Sequence, residues 1–196
     1  MKTDKQQAED TARYLQEKGC GSVDVGIFTG TGLGGSVGFM PVDIELSYRD
    51  LPSFPVSTVP GHAGRMLVGR LQQRHVMVMQ GRFHLYEGYS PREVTFPIRV
   101  MQELGVKVLI ATNAAGGLNA PLQAGDIMII RDHINLTGDN PLVGKNEDSW
   151  GVRFPDMTRV YDSHLSQTAQ QAGRHLGLEL KSGVYAGLKG PSLETP

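Results

Sequence analysis

Cysteine is nearly missing from this chain of 196 residues, where Cys20 stands alone. A single thiol closes no intrachain disulfide and builds no cysteine-rich zinc site. The histidines do not take its place: His75, His164 and His175 lack ligand spacing, and His133 in "RDHIN" suits a structural role, hydrogen-bonded to a backbone group. An excess of one charge is also absent, with a formal net charge of −1 and no basic block. That argues against a protein that coats nucleic acid, yet leaves room for a small anion, which needs only a few local donors. No apolar run approaches the length of a bilayer span. The opening "MKTDKQQAEDTARYLQEKG" is polar and helical in character, unlike a secretory signal peptide. The expected compartment is the cytoplasm, with neither membrane nor nucleic acid as a partner. Internal repeats, low-complexity segments and linkers are missing too, and no Ser/His/Asp order or G-x-S-x-G elbow announces a protein nucleophile.

What is present has globular proportions, with 39% hydrophobic and 20% charged residues. The length suits a single domain over residues 1–196 with a sizeable core. Residues 4–18 read as a surface helix closed by Gly19 and Gly21, and 23–28 ("VDVGIF") as a strand. Residues 66–70 and 75–80 read as two strands joined by the polar turn from Leu71 to Arg74. Ser90-Pro91-Arg92-Glu93 offers a helix start, with a serine cap, proline at the first helical position and glutamate three residues after the cap. That helix is expected to reach Leu104, stop at Gly105 and kink at Pro97. Residues 106–112 and 126–130 have the apolar character of buried strands, 161–176 read as a helix, and 183–188 as a last strand. Alternating strands and helices predict an α/β fold with a mixed, largely parallel central sheet flanked by helices. In such sheets ligands bind beyond the carboxyl ends of the strands.

Glycine-rich stretches fall just past those ends: "TGTGLGG", "QGRFHLYEG", "NAAGGLN" and "KGPSLETP". In the first, Gly30, Gly32 and Gly35 satisfy G-x-G-x-x-G, the dinucleotide fingerprint. That fingerprint requires an amphipathic helix directly afterwards, and "SVGFMPVDIELSYRDLPSFP" has too many glycines and prolines for one. Two readings remain for this loop. It is a backbone cradle for a lone oxyanion with the Thr31 hydroxyl as an extra donor, or an ordinary tight turn. "QGRFHLYEGY" is chemically the densest segment. Arg82 and His84 are two residues apart, so an extended chain points both to one side, where guanidinium and imidazole form an oxyanion clamp. Tyr86 continues that side and Glu87 is placed to orient His84; the alternative is an exposed strand end with Phe83 and Leu85 buried opposite. "STVPGHAGRM" adds His62 and Arg65, with His62 either a loop ligand or a turn residue. "TNAAGGLN" carries no acid, base or nucleophile, and its small residues let a flat ligand approach the backbone or simply make a turn. Glu194 in "GPSLET" is either a ligand-binding acid or a first-turn glutamate. Thr195-Pro196 reads as a helix cap followed by proline at the first helical position, so the sequence is expected to be the N-terminal portion of a longer domain, incomplete at its C-terminus.

Eight blocks occur in order: "GTGLGG", "FPVSTVPGHAGR", "QGRFHLYEGY", "VTFPIRVMQELGV", "TNAAGGLN", "GDIMIIRDHINLTGDNPLVG", "RFPDM" and "GPSLET". Together they resemble the trimeric purine nucleoside phosphorylases from residue 5 onward. The related methylthioadenosine phosphorylases are less similar in the His62 and Arg82 segments. The resemblance implies phosphorolysis of purine ribonucleosides or deoxyribonucleosides such as inosine and guanosine, giving free base and pentose 1-phosphate in purine salvage. It implies no cofactor and no metal, because inorganic phosphate is a co-substrate and is itself the nucleophile. Carried over by motif, Thr31, Arg82, His84 and the Ala114 N–H hold phosphate, with His62 nearby. Glu87 orients His84, and Tyr86 contacts the ribose. Ala114, Ala115, Gly116 and Leu193 line the purine pocket, and Glu194 accepts from purine N1–H. His84, Glu87 and Glu194 are thus the expected catalytic residues, in a homotrimer when the domain is complete.

Three positions depart from the commonest family pattern. Thr31 stands where serine is usual, and Leu193 where an aromatic often packs on the base. Trp150 aligns with a segment whose phenylalanine reaches the neighbouring subunit's site in many relatives. Family members also continue well beyond Pro196, into a segment with the asparagine that holds the departing purine and with further phosphate and ribose contacts. The competing reading is therefore a catalytically incompetent fragment that at most binds phosphate or nucleoside. In a complete enzyme Glu194→Ala is expected to reduce inosine turnover sharply, as measured by hypoxanthine release; a near-normal rate overturns the role given to Glu194.

Overall fold

Thr3 starts the first element with a reciprocal cap: its hydroxyl accepts from Gln6 N–H at 3.2 Å, and the Gln6 side chain accepts from Thr3 N–H at 3.0 Å. The resulting helix α1 (Asp4–Glu17) buries Ala8, Thr11, Ala12 and Leu15, a stripe at helical spacing. The structure is a computed structural model that describes residues 2–30, 32–58 and 63–192. It comprises two compact units, Met1–Ala114 and Ala115–Pro196.

The first unit continues through β1 (Val25–Thr29), β2 (Val42–Ser47), β3 (Arg65–Leu71), β4 (Arg74–Gln80), α2 (Pro91–Glu103) and β5 (Val108–Ala111). Its sheet has the order β2-β3-β4-β1-β5. The β2–β3 and β3–β4 pairs are antiparallel, whereas β4–β1 and β1–β5 are parallel. Parallel strands need a crossover connection, and α2 supplies it between β4 and β5, which flank β1 on either side. Ser90 caps α2 as expected, accepting from Glu93 N–H while the Glu93 carboxylate accepts from Ser90 N–H. The helix runs on through Pro97, which is buried with Phe96, Val100 and Met101. Tyr48, Phe54, Phe83, Phe96 and Tyr89 form a connected set of ring contacts with centroids 5.2–6.4 Å apart. Valines and methionines of the middle strands complete the core, with Met77, Val78 and Met79 wholly inaccessible.

The second unit contains β6 (Met128–Asn135), α3 (Ser163–His175) and β7 (Lys181–Gly187). β6 and β7 pair in parallel, and α3 lies between them in the chain. Asp162 caps α3 by accepting from Leu165 N–H at 2.8 Å.

The class is thus the expected mixed α/β arrangement, with three of the five strand pairings among the described residues parallel. Every predicted helix and strand has a counterpart within a few residues. β2 falls where no element is expected. Val42, Ile44 and Leu46 alternate with Asp43, Glu45 and Ser47, a period-two strand signal obscured by the prolines around it. At its paired neighbour Gly69, a Cβ would stand 2.0 Å from the Pro41 carbonyl oxygen. Gly69→Ala is therefore expected to destabilise the first unit by about 1–3 kcal/mol through overpacking, read from urea unfolding; unchanged stability would show that β2 yields without cost.

Candidate functional site

The carboxyl ends of three parallel neighbours meet along one edge of the first sheet: Thr29 is paired with Gln80, and Phe28 with Ala111. The strands that follow β1 lie on one side of it and β5 on the other. β1 is therefore the point where strand order reverses, the usual ligand position in open α/β sheets.

The loop after β1 is fastened to the end of β5. Gly30 N–H donates to the Thr112 hydroxyl at 2.9 Å, and that hydroxyl donates to the Phe28 carbonyl at 3.1 Å. One amide of the expected cradle is thus committed to the sheet and does not face a ligand. Further along, the Gln80 side chain donates to the Gly34 carbonyl and accepts from Arg65 Nε. Arg65 also bridges to Glu45 at 2.7 Å, which makes it a strut between strands. After the loop comes a 3-10 segment, Gly34–Phe39, and then β2. A dinucleotide fold would place a regular helix there, so the fingerprint match carries no cofactor.

The loop after β4 holds the chemistry. Phe83 is buried in the aromatic set, while Arg82 and His84 on either side of it are half-buried. The alternation ends at His84, because Leu85–Glu87 is a 3-10 turn. Glu87 closes that turn by accepting from both His84 N–H and His84 Nδ1, each at 2.8 Å. The other Glu87 oxygen accepts from Thr58 N–H and from the Thr58 hydroxyl, each at 2.7 Å. The Glu87 side chain is only 2% exposed. Burial pushes its carboxyl up, but the four hydrogen bonds from Thr58 and His84 outweigh this and hold it below the usual glutamate range. Tyr86 reaches His84 by a different route from the predicted alternation: the turn stacks the two rings with centroids 4.7 Å apart and planes 13° from parallel. Burial and the Glu87 charge raise the Tyr86 phenol, with the nearby Arg82 guanidinium opposing them. Arg82, His84, Tyr86 and Glu87 therefore form one cluster.

The remaining expected residues are distributed more widely. Ala114 is exposed after β5 in the first unit; Ala115 and Gly116 are exposed, irregular residues of the second. A Cβ on Gly116 would meet nothing within 4 Å, so packing does not require the glycine. Trp150 ends a 3-10 turn, Asp148–Trp150, in the second unit and is half-buried. Thr31, His62, Leu193 and Glu194 lie outside the described residues. His133 pairs with the Tyr161 hydroxyl at 3.1 Å rather than with a backbone group. Thr58, Gln80 and Thr112 are the contributors that sequence reasoning misses; only their positions beside the glycine stretches hint at them. Among the described residues no group of three or more His, Cys, Asp or Glu is arranged to hold a metal ion. No described helix is long and apolar enough to cross a membrane.

A family model described as the phosphorylase superfamily matches residues 24–196. Purine nucleoside phosphorylase 1 of Bacillus subtilis (strain 168) is 49% identical over 192 residues, which are 98% of this chain and 71% of that protein. Purine nucleoside phosphorylase 1 of Geobacillus stearothermophilus is 50% identical over 188 residues, 96% of this chain and 69% of the relative. Among solved structures, purine nucleoside phosphorylase from Schistosoma mansoni in complex with adenosine superposes with a TM-score of 0.91 at 42% identity, covering 97% of this chain and 69% of that one.

Glu87→Gln puts an amide donor where the carboxylate meets only donors, and is expected to cost about 1.5–3 kcal/mol at neutral pH. Because the folded pKa of Glu87 is depressed, its contribution is complete above the ordinary glutamate value and is lost as pH falls through the lower folded value. The stability gap between parent and variant, measured by denaturant unfolding across pH, is expected to narrow only below the usual carboxylate range. A gap independent of pH there would contradict this account.

Proposed function

Because the chain belongs to the phosphorylase superfamily and, within it, to the purine nucleoside phosphorylases, we propose that it catalyses phosphate-dependent cleavage of purine nucleosides by the following division of labour. Inorganic phosphate attacks C1′ of the sugar, forming a C–O bond as the C1′–N9 bond breaks. The bonding pair leaves with the purine, which takes up a proton, and the sugar leaves as pentose 1-phosphate. The sugar is oxocarbenium-like midway, so the protein's task is to position phosphate and to balance charge.

The observation that carries this reading is the cluster after β4. A guanidinium, an imidazole and a buried carboxylate converge at a strand end where ligands are expected. A carboxylate only accepts, so Nδ1 of His84 carries the hydrogen, and Nε2 is the nitrogen assigned to phosphate. Arg82 and His84 are assigned to phosphate, with the Ala114 N–H; Tyr86, stacked on His84, is assigned to the ribose. For Thr31 and His62 at the phosphate, and for Leu193 and Glu194 at the purine, the assignment rests on the motifs alone. Ala114, Ala115 and Gly116 offer small residues to the flat base.

Phosphate is a co-substrate in this scheme and no metal or organic cofactor takes part. The active species is a homotrimer, with Trp150 directed to a neighbouring subunit; the exposure of Val152 and Phe154 beside it, 72% and 86%, supports an apolar contact there. The reaction belongs to purine salvage in the cytoplasm.

Incubating the expressed chain with inosine, with and without phosphate, tests the reading. Hypoxanthine release that requires phosphate, with stoichiometric ribose 1-phosphate, is the expected outcome. No release by soluble, folded protein would overturn the assigned activity for this chain.

A further inference from the structure

We propose that Thr58 is a positioning residue for the phosphate-binding imidazole, acting through Glu87; this rests on the phosphate-binding role assigned to His84. Thr58 is itself exposed, yet it spends both its backbone N–H and its hydroxyl, each at 2.7 Å, on one oxygen of a carboxylate that is 2% exposed. The other oxygen of that carboxylate grips His84 twice, at N–H and at Nδ1. Thr58 and His84 thus share a single rigid group, and the orientation of the ring depends on both ends of it.

A second clamp holds Thr58 in place. The Tyr89 hydroxyl donates to the Val56 carbonyl at 2.7 Å and accepts from Val56 N–H at 3.1 Å. Residues 56–58 are therefore stitched to Glu87, which ends the short turn, and to Tyr89 just beyond it. Tyr86 stacks on one face of the imidazole. The ring is thus fixed by the carboxylate at one edge and by stacking over one face. The Thr58 donors also act on charge: they are among the hydrogen bonds that keep Glu87 ionised against the cost of its burial. An ionised Glu87 in turn favours the protonated, phosphate-attracting state of His84.

Thr58→Val keeps the β-branched shape and the backbone N–H but removes the hydroxyl donor. The expected result is a fall of about tenfold in kcat/KM for phosphate, the size of one charge-assisted hydrogen bond, with little change in KM for nucleoside. The acid limb of the phosphate kcat/KM profile is expected to move to higher pH, because Glu87 then protonates more readily. Thr58→Ser restores the hydroxyl and is expected to return both quantities towards the parent values. A folded Thr58→Val protein with unchanged phosphate kcat/KM and an unchanged acid limb would overturn the proposal, as would equal losses in the valine and serine variants. Long-range proton–nitrogen spectra of the imidazoles separate this inference from the activity on which it rests. If the parent chain shows no phosphate-dependent turnover, the phosphorylase assignment fails. Thr58 is then judged by whether its valine variant shifts the His84 tautomer or protonation equilibrium, and unaltered His84 resonances refute it.

Discussion

The buried carboxylate of Glu87 is the group on which the arrangement of the candidate site turns. A charge removed from water is costly unless donors replace the solvent it loses. Here four donors from two residues do so, two on each oxygen. That saturation explains why the carboxylate is tolerated beside an aromatic core, and how it holds His84 in one orientation. Removing any one donor alters the remaining three, because they share one planar group whose position is their common compromise.

The core holds the site from below through Phe83. Its ring contacts Tyr48, Phe54 and Tyr89, and its burial forces its two sequence neighbours, Arg82 and His84, outward. Tyr48 adds a polar anchor by donating to the Gly81 carbonyl at 2.8 Å, just before Arg82. Apolar packing and backbone capture thus position the guanidinium and imidazole without any contact between those two groups being needed. The ends of the parallel strands supply the platform, and the turn supplies the chemistry.

Much of this was legible in the residues. The capping box at Ser90, the apolar run within 75–80 and the Arg82–His84 spacing are local signals, set by neighbours within a few positions. The coupling of Glu87 to His84 is equally local, three residues along the chain. Its coupling to Thr58 spans 29 residues, and that of Gly30 to Thr112 spans 82. Periodicity cannot find such pairs, because only the sheet order brings them together. The 3-10 turn at Leu85–Glu87 was hidden for a related reason. Extended alternation and a tight turn are compatible with the same residues until the carboxylate takes up its donors. Thr31, His62, Leu193 and Glu194 lie outside the described residues and rest on motif alone, whereas His84, Tyr86 and Glu87 are joined by geometry.

The close approach of Gly30 to the end of β5 has an implication for how this loop tolerates change. A Cβ at position 30 would fall 2.6 Å from the Thr112 carbonyl oxygen and 2.7 Å from Asn113 Cα. Those are main-chain atoms, present whatever side chains stand at 112 and 113. No partner substitution there relieves the collision, so the glycine is not one half of an exchangeable pair. Drift at Thr112 can loosen the hydrogen bonds around the loop, but it cannot widen the space the loop occupies. The first glycine of the stretch is therefore fixed by the spacing of two parallel strands, independently of any ligand the loop receives.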